Sequence, residues 1–237
     1  MTIQEYFKYP SKLFDYKSLS IPDTKNDNDL LAWLLHMSGV PHLPLELPEA
    51  PFEEMYKEAL ALEDMYVKHR TGDYENSGWK SICLHGEAWD KTDYWTSYPE
   101  NEGKAEDEVH YVWTDIAERC PVTTKYFKES FIHSGYKRLR FMWLEPRGYI
   151  MPHSDGNKHF LGAINVALNN PEGCEFRMGE YLVPFKQGNA MLLDVANEHA
   201  IWNNSGVPRI HMIVHGSRYR PNYNKFILEN FRKQLDK

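Results

Sequence analysis

The chain has 237 residues, of which 42% are hydrophobic and 26% are charged, as is usual for one globular domain or two small ones. The formal net charge is −7 and no basic block occurs, so the electrostatic footprint of a nucleic-acid-binding protein is absent. Three cysteines without a CxxC pair are too few for a disulfide framework, and no apolar run of about 18 residues occurs, so we expect a cytoplasmic protein without a membrane span.

The N-terminal part of the chain predicts helices joined by polar connections. A short helix is predicted over residues 29–36, and the Pro-rich segment 40–51 is predicted to be an extended connector. The strongest helix is predicted over 51–70, because apolar residues recur there at helical spacing between an acidic first turn and a basic last turn. We expect this helix to pack against a sheet, with a loop at 72–78 after it.

The middle of the chain is less regular. Residues 79–86 alternate and predict a strand, and 113–120 and 124–130 predict two short helices interrupted by Pro121. The polar and aromatic segment 87–110 has no clear period. It is compatible either with a lid over a binding site or with a solvated surface loop.

From Tyr136 onward the pattern is that of strands. In the segment 136–145, Arg138, Arg140 and Met142 alternate with apolar residues, so these three side chains share one face. Further strands are predicted at 159–170, 174–179, 180–185, 189–195, 199–203 and 209–216, and a helix at 221–237.

Candidate metal ligands occur within this strand-rich part. His153 and Asp155 are two residues apart, so on an extended strand they point to one face. Together with His199 they would supply two imidazoles and one carboxylate, a ligand set that holds Fe(II) and leaves coordination positions open. Arg209 follows ten residues after His199, across a turn that contains Gly206 and Pro208.

The HxD pattern is weak by itself, because Asp155 could also be the cap of a turn. The evidence for a metal site comes from the combination of this pattern with His199 and Arg209. His85 begins a comparable HxE pattern, but no arginine follows it at the same spacing, and we interpret it as a partly buried structural histidine.

At these residues the chain resembles the Fe(II)/2-oxoglutarate-dependent oxygenases, and within them the aspartyl/asparaginyl β-hydroxylase-like branch. The matching segments are 144–155, 164–179 and 188–216. The resemblance implies a double-stranded β-helix, with His153, Asp155 and His199 as iron ligands. It also implies that Arg209 binds the C5 carboxylate of 2-oxoglutarate through its planar, permanently charged guanidinium.

The chain departs from the best-known members of that branch at three positions. They have glycine where Asp155 stands, and they carry His and Ser where Asn165 and Met142 align. Asn165 and Met142 are therefore expected to lie beside the co-substrate, but they cannot make the contacts that His and Ser make at these positions. Arg140 would share the inward face with Met142, which makes it a candidate for a substrate or co-substrate carboxylate, the alternative being an arginine at the rim of the sheet. His211 is expected to line the core or the substrate pocket rather than to bind metal.

These observations predict a mostly β protein with added helices: a double-stranded β-helix (jelly roll) core packed by N-terminal helices. One domain is expected over 1–237, with helical and loop additions at 1–135, the jelly-roll core at 136–220 and a C-terminal helix at 221–237. The predicted activity is that of an Fe(II)/2-oxoglutarate-dependent dioxygenase, which uses O₂ to hydroxylate an amino acid, a peptidyl side chain or a small metabolite and releases succinate and CO₂.

The alternative is a cupin-like metal-binding module or an isomerase without oxygenase activity. Arg209 favours the oxygenase, because such a module needs no fixed cation at that spacing. We expect no nucleic-acid or membrane partner, and either a monomer or a homodimer.

Overall fold

A curled antiparallel sheet runs through the computed structural model, which describes residues 1–47, 49–70, 72 and 75–237. Within these residues the strands are β1 (His42–Leu45), β2 (Val67–Lys68), β3 (Asn76–Gly86), β4 (Val112–Trp113), β5 (His133–His153), β6 (Ala163–Ala167), β7 (Cys174–Met178), β8 (Tyr181–Leu182), β9 (Ala190–Leu193), β10 (His199–Asn203) and β11 (Arg209–Tyr219). The α-helices are α1 (Ile3–Phe7), α2 (Asp27–His36), α3 (Phe52–Leu60), α4 (Asp115–Arg119), α5 (Pro121–Glu129) and α6 (Tyr223–Leu235).

The long strand β5 joins a larger half of the sheet, which contains β1, β9, β6 and β11, to a smaller half, which contains β10, β7 and β8. The strand order is β1-β9-β6-β11-β5-β10-β7-β8, and β3 pairs with β5 outside this path. The first part of β5 pairs with β11 and its last part with β10. Between them the backbone departs from regular strand geometry at Arg147, whose φ is 64°, and approaches β3 closely at Gly148, where a Cβ would lie 2.7 Å from the carbonyl oxygen of Ser77. The curled sheet with its few helices confirms the predicted jelly roll.

The sheet buries both of its faces. On β5, Leu139, Phe141 and Trp143 belong to a core shared with the helices, whereas Met142 and Leu144 point into the barrel. This alternation is the one predicted for the segment. The barrel interior is otherwise filled by apolar side chains from the facing strands, namely Trp79, Ile150, Ala167, Phe176, Phe185, Met191, Leu193 and Ile201.

Helices cover the outer face of the larger half of the sheet. α3 buries Met55 and Ala59, and α6 buries Ile227 and Phe231 in the same core. Both helices therefore pack as predicted, each through one apolar stripe.

The short helix α1 covers the outer face of the smaller half of the sheet. Ile3 and Phe7 pack against Ala200, and the Phe7 ring lies 5.8 Å from the ring of Trp202. The buried guanidinium of Arg177 on β7 donates hydrogen bonds to backbone carbonyl groups of this N-terminal segment.

The structure differs from the predicted elements where tertiary pairing competes with local pattern. The helix predicted over 51–70 ends at Leu60, because the chain then turns into β2, which pairs with β3. The predicted connector 40–51 contains β1, which pairs with β9. Residue 48 of this connector and residues 73 and 74 of the predicted loop lie outside the described residues.

The cysteines take no part in disulfides: Cys83, Cys120 and Cys174 are buried free thiols. Across the described ranges, no helix combines the length and the apolar character that crossing a bilayer would require.

His133, at the start of β5, is enclosed by aromatic rings. The rings of Phe131, Tyr219 and Tyr223 lie 5.3, 5.0 and 5.6 Å from its own ring. Neither ring nitrogen has a hydrogen-bond partner among the described residues. Burial lowers the pKa of His133 to about 4, so the folded protein holds this ring neutral where the unfolded chain would protonate it.

This pKa difference predicts a loss of stability in acid. Between about pH 6.5 and pH 4 the unfolded chain binds a proton on His133 that the folded chain does not, so the free energy of unfolding falls as the pH is lowered. The shift corresponds to at most about 3 kcal/mol. Replacement His133→Phe should reduce this pH dependence in chemical denaturation, whereas His110→Phe, at an exposed position, should leave it unchanged. An identical pH dependence in His133→Phe and in the unsubstituted protein would contradict the prediction.

Candidate active site

Strand pairing brings the two predicted ligand histidines together. β10 runs antiparallel to the end of β5, with His199 opposite His153, and their ring centroids are 4.2 Å apart. Asp155 follows in the loop after β5, where its backbone N–H donates to the carbonyl oxygen of Val195 at 2.8 Å. The three side chains therefore meet at one end of the barrel.

The donor atoms of the three residues converge. One ligand atom from each of His153, Asp155 and His199 lies within 4.8 Å of the others. The Nε2 atoms of both histidines lie 3.9 Å from Asp155 carboxylate oxygens. Ligand atoms at these separations can bind one cation between them.

Backbone carbonyl groups orient both imidazoles. Nδ1 of His153 lies 2.8 Å from the carbonyl oxygen of Met151, and Nδ1 of His199 lies 2.9 Å from that of Asn197. Since a carbonyl only accepts, each Nδ1 carries the proton and each Nε2 presents its lone pair to the cluster. Burial and the neighbouring His199 lower the pKa of His153 to about 4, so this ring is neutral at pH 7, as metal ligation requires.

Arg209 lies deeper in the barrel, at the start of β11 and opposite Leu144 of β5. Its side chain is buried, and within the described part of the chain it forms no ion pair with a carboxylate. The guanidinium lies 5.8 Å from the ring centroid of Phe176, and this same ring lies 5.8 Å from the ring of His199. Phe176 is thus a common neighbour of a candidate metal ligand and the buried cation.

A short polar chain connects Arg209 to the pocket. Nη2 of Arg209 lies 2.7 Å from Nδ1 of His211, and Oδ1 of Asn165 lies 2.9 Å from the same nitrogen. Burial, together with Arg209, holds the pKa of His211 well below its usual value, so the ring is neutral. Nε2 of His211 and Nε of Arg209 have no hydrogen-bond partner among the described residues. These two buried polar atoms are therefore available to a water molecule or a ligand.

The pocket at the mouth of the barrel brings together most of the predicted site residues. His153, Asp155 and His199 line it, as do Arg140 and Asn165. Met142 and Arg209 do not line it but lie in the wall behind, where Met142 pairs with His211. Met142 supplies an apolar contact only, because it is buried among the side chains of the barrel interior.

Two arginines of β5 form a cationic wall of this pocket. Arg138 and Arg140 are each 4% exposed. Arg140 donates to the carbonyl oxygen of Thr92 at 2.5 Å, and Arg138 donates to that of Asp93 at 2.8 Å. Burial, reinforced by Arg138, lowers the pKa of Arg140 to about 10, which leaves it charged at pH 7. Arg140 thus lies in the pocket and not at the rim of the sheet.

Further pocket residues were not predicted as part of the site. His215 lies 3.1 Å from Nη2 of Arg138, and Tyr94 stacks on the Arg138 guanidinium at 4.7 Å. Arg70, which lies 3.8 Å from an Asp155 oxygen, and its neighbour His69 also line the pocket. Sequence periodicity assigned residue 70 to the end of a helix. Helix α3 instead ends at Leu60, and the segment that follows it can therefore reach the barrel mouth.

The segment 87–110 contributes to the pocket through part of its length. It contains short 3-10 turns at Trp95–Ser97, Pro99–Asn101 and Glu106–Glu108. Tyr94 lines the pocket, and the carbonyl groups of Thr92 and Asp93 accept hydrogen bonds from the two arginines. The segment is therefore tied to the barrel mouth and is more than a solvated surface loop.

His85 has the structural role that the sequence predicted. It is 8% exposed, Nδ1 lies 3.2 Å from the carbonyl oxygen of Lys137, and its ring meets that of Trp113 edge to face. Glu87 instead accepts a hydrogen bond from Asn101. Neither residue belongs to the cluster of His153, Asp155 and His199.

A jelly roll with two histidines and one carboxylate at its mouth defines the class of non-haem iron oxygenases. The family model described as aspartyl/asparaginyl beta-hydroxylase matches residues 42–218, and the chain belongs to this family. It is accordingly a hydroxylating dioxygenase that depends on Fe(II) and 2-oxoglutarate, as predicted. No curated protein matches the chain.

The chain is similar to several solved structures at low sequence identity. A 2OG-Fe(II) oxygenase-family oxidoreductase from Burkholderia pseudomallei is 13% identical, covers 87% of this chain and 94% of its own, and has a TM-score of 0.46. A prolyl-4-hydroxylase from Pseudomonas putida is 12% identical, with 82% and 100% coverage and a TM-score of 0.44. The viral collagen prolyl hydroxylase of Paramecium Bursaria Chlorella virus-1, solved with 2OG, is 14% identical, with 75% and 96% coverage and a TM-score of 0.38.

The donor cluster predicts stoichiometric metal binding. We expect about one Fe(II) per chain. Asp155→Ala should lower the affinity by more than about 100-fold, because changes outside the ligand set alone cost about 10- to 100-fold. Anaerobic titration with Fe(II), followed by metal analysis, measures both quantities. Asp107→Ala, at an exposed position, is the matched control. Undiminished binding in Asp155→Ala would remove this carboxylate from the ligand set.

Proposed function

We propose that His153, Asp155 and His199 hold the Fe(II) and that Arg209 binds the distal carboxylate of 2-oxoglutarate. The chain would then hydroxylate an amino acid, a peptidyl side chain or a small metabolite. The observation that carries this proposal is the buried guanidinium of Arg209, which lies behind the metal cluster without a carboxylate partner among the described residues. Burial of an unpaired cation is unfavourable by several kcal/mol, which favours the binding of an anion at this position.

When bound, the iron with 2-oxoglutarate and O₂ supplies the oxidation that inserts a hydroxyl group into the substrate and leaves succinate and CO₂. The residues of the chain hold the metal ligands in place. Both histidines are fixed by hydrogen bonds to backbone carbonyl groups, and Asp155 is held by the backbone contact of its N–H with Val195. These contacts would hold the three ligand side chains in place when Fe(II) binds.

Part of the wall around the cluster is apolar. Ile150, Phe176 and Ile201 line the pocket beside the candidate ligands and are at most 6% exposed. In such a low-dielectric setting, the attraction between the Arg209 guanidinium and a carboxylate is stronger than it would be in water. The planar guanidinium also offers two parallel N–H donors, which fixes the direction of the bound acid.

Asn165 and Met142 would surround the middle of the co-substrate. Asn165 lines the pocket and lies beside His211, so its amide can donate to an oxygen of the bound acid. Met142 packs from the wall behind. Neither side chain is charged, so Asn165 and Met142 add no cationic contact to that of Arg209.

The state of the cysteines supports a proposal for the cellular compartment of the protein. The three cysteines are reduced and buried, and burial raises the pKa of the Cys83 thiol to about 12. Free thiols without disulfides are typical of proteins in a reducing environment, which favours the cytoplasm.

The role of Arg209 predicts a selective defect. Arg209→Gln removes the charge and the paired donors, so the dissociation constant of 2-oxoglutarate should rise by roughly 10- to 100-fold or more while Fe(II) binding is retained. Anaerobic titration with 2-oxoglutarate of the Fe(II)-loaded protein, followed by its absorption band, measures the first quantity. Release of succinate from 2-oxoglutarate in air, with ascorbate present, measures activity.

The matched control is Arg218→Gln, at an exposed position of the same strand, which should change neither quantity. Arg209→Lys keeps the charge but lacks the fork and is expected to recover only part of the affinity. Normal 2-oxoglutarate binding by a folded Arg209→Gln protein would exclude Arg209 as the carboxylate partner. Absence of both 2-oxoglutarate binding and succinate release in the unsubstituted protein would overturn the proposed function itself.

A further inference from the structure

A buried carboxylate lies between the two segments that carry Asp155 and His199. Asp194 follows directly after β9 and is 4% exposed. It belongs neither to the three candidate metal ligands nor to the residues that line the pocket. Contact with a metal ion or with a molecule in the pocket therefore does not explain why a carboxylate is buried at this position.

The loop that carries Asp155 is closed onto the end of β9. Asp155 donates its backbone N–H to the carbonyl oxygen of Val195 at 2.8 Å, and Gly162 donates its own to that of Leu193 at 3.1 Å. Asp194 is the residue between these two contacts. The two ends of the loop are thus fixed on either side of Asp194.

The carboxylate of Asp194 joins this loop to the segment that leads to β10. Its Oδ1 accepts a hydrogen bond from the backbone N–H of Phe160 at 3.2 Å, and its Oδ2 lies 2.8 Å from Nδ1 of His159. Oδ1 also accepts from the backbone N–H of Ala196 at 3.2 Å, three residues before His199. One side chain therefore connects the loop after β5 with the segment before β10.

The backbone of Asp194 extends the network to His199. Its carbonyl oxygen accepts from both the backbone N–H and the side-chain amide of Asn197, each at 3.1 Å. The carbonyl oxygen of Asn197 lies 2.9 Å from Nδ1 of His199 and orients this imidazole. Hydrogen bonds thus link Asp194 to the segments that hold two of the three candidate ligands.

The contacts that make the burial of this carboxylate tolerable also restrain the two segments. A buried carboxylate is unfavourable unless its oxygens accept hydrogen bonds. Two of the three donors to Asp194 are backbone N–H groups, so the contacts act on the chain itself. Hydrogen bonds to an ionised acceptor are stronger than those between neutral groups. A metal site gains affinity when surrounding contacts hold its ligands in one geometry.

We propose that Asp194 is a positioning residue, which holds the segments around Asp155 and His199 in the arrangement that binds the metal. It contributes no ligand atom itself and acts through these two ligands. The inference rests on the proposed function, because it takes His153, Asp155 and His199 as the ligand set.

Metal affinity tests this role without depending on turnover. Asp194→Ala removes both side-chain acceptors, so the dissociation constant of Fe(II), measured anaerobically, should rise by roughly 10- to 100-fold. Asp194→Asn keeps a neutral oxygen at the same place and should raise the dissociation constant less, by about 3- to 10-fold. The absorption spectrum of bound Co(II), which depends on coordination geometry, should change in Asp194→Ala.

Asn230→Ala is the matched control. Asn230 in α6 is also buried, and its side chain accepts a hydrogen bond from the backbone N–H of Glu46. The substitution removes a comparable buried contact away from the ligands. It should therefore lower the melting temperature, as Asp194→Ala does, and leave the dissociation constant of Fe(II) unchanged.

Hydrogen exchange of the metal-free protein measures the restraint directly. The amides of Phe160 and Ala196 donate to the carboxylate, so they should exchange faster in Asp194→Ala, while the amides of β3 keep their rates. Unchanged exchange at both amides would show that Asp194 does not restrain the two segments.

The outcomes separate this inference from the proposed function. If the unsubstituted protein binds Fe(II) and a folded Asp194→Ala protein binds it equally well, Asp194 has no positioning role. Equal losses of affinity in Asn230→Ala and Asp194→Ala would also overturn the inference, because the loss would then reflect general destabilisation. If Asp194→Ala does not fold, Asp194→Asn decides, and a dissociation constant within about twofold of the unsubstituted value contradicts the role. Absence of Fe(II) binding in the unsubstituted protein, or undiminished binding in Asp155→Ala, would instead refute the proposed ligand set.

Discussion

The pairing of His199 with His153 across β10 and β5 is the contact on which the rest of the site depends. Two residues far apart in the sequence become neighbours because their strands run antiparallel and pair His199 with His153. The register shifts between His199 and Ile201, and on the other side of this irregularity Ile201 pairs with Ile150 in the barrel interior. A further slip by one residue would turn one imidazole to the outer face and destroy the cluster.

Much of this arrangement was predictable from local pattern, and the remainder was not. The alternation around Met142 identified the inward face of β5, and the spacing of two histidines, one aspartate and Arg209 identified the family. The positions of Arg70 and Tyr94 in the pocket were not predictable, because they follow from where α3 ends and where the segment after β3 settles. Such contacts are made between distant segments, and no short-range period records them.

The inward face of the barrel is unusual because its polar groups are cationic and incompletely paired. Arg209, deeper in the barrel, and Arg140, at its mouth, are both buried, and burial lowers the pKa of each to about 10. A core designed only for stability would contain apolar residues at these positions. The chain retains the charges, whose burial is unfavourable unless hydrogen bonds or a bound anion compensate for it.

One further consequence follows from the continuity of β5. This strand of 21 residues carries Arg138 and Arg140 near its beginning and His153 at its end, with one irregularity between them. Backbone geometry, and not a loop, therefore links the arginine pair to the metal cluster, and both line one pocket. A substitution that altered the backbone at Arg147 or Gly148 would change the position of the cluster relative to the arginines, although neither residue lines the pocket.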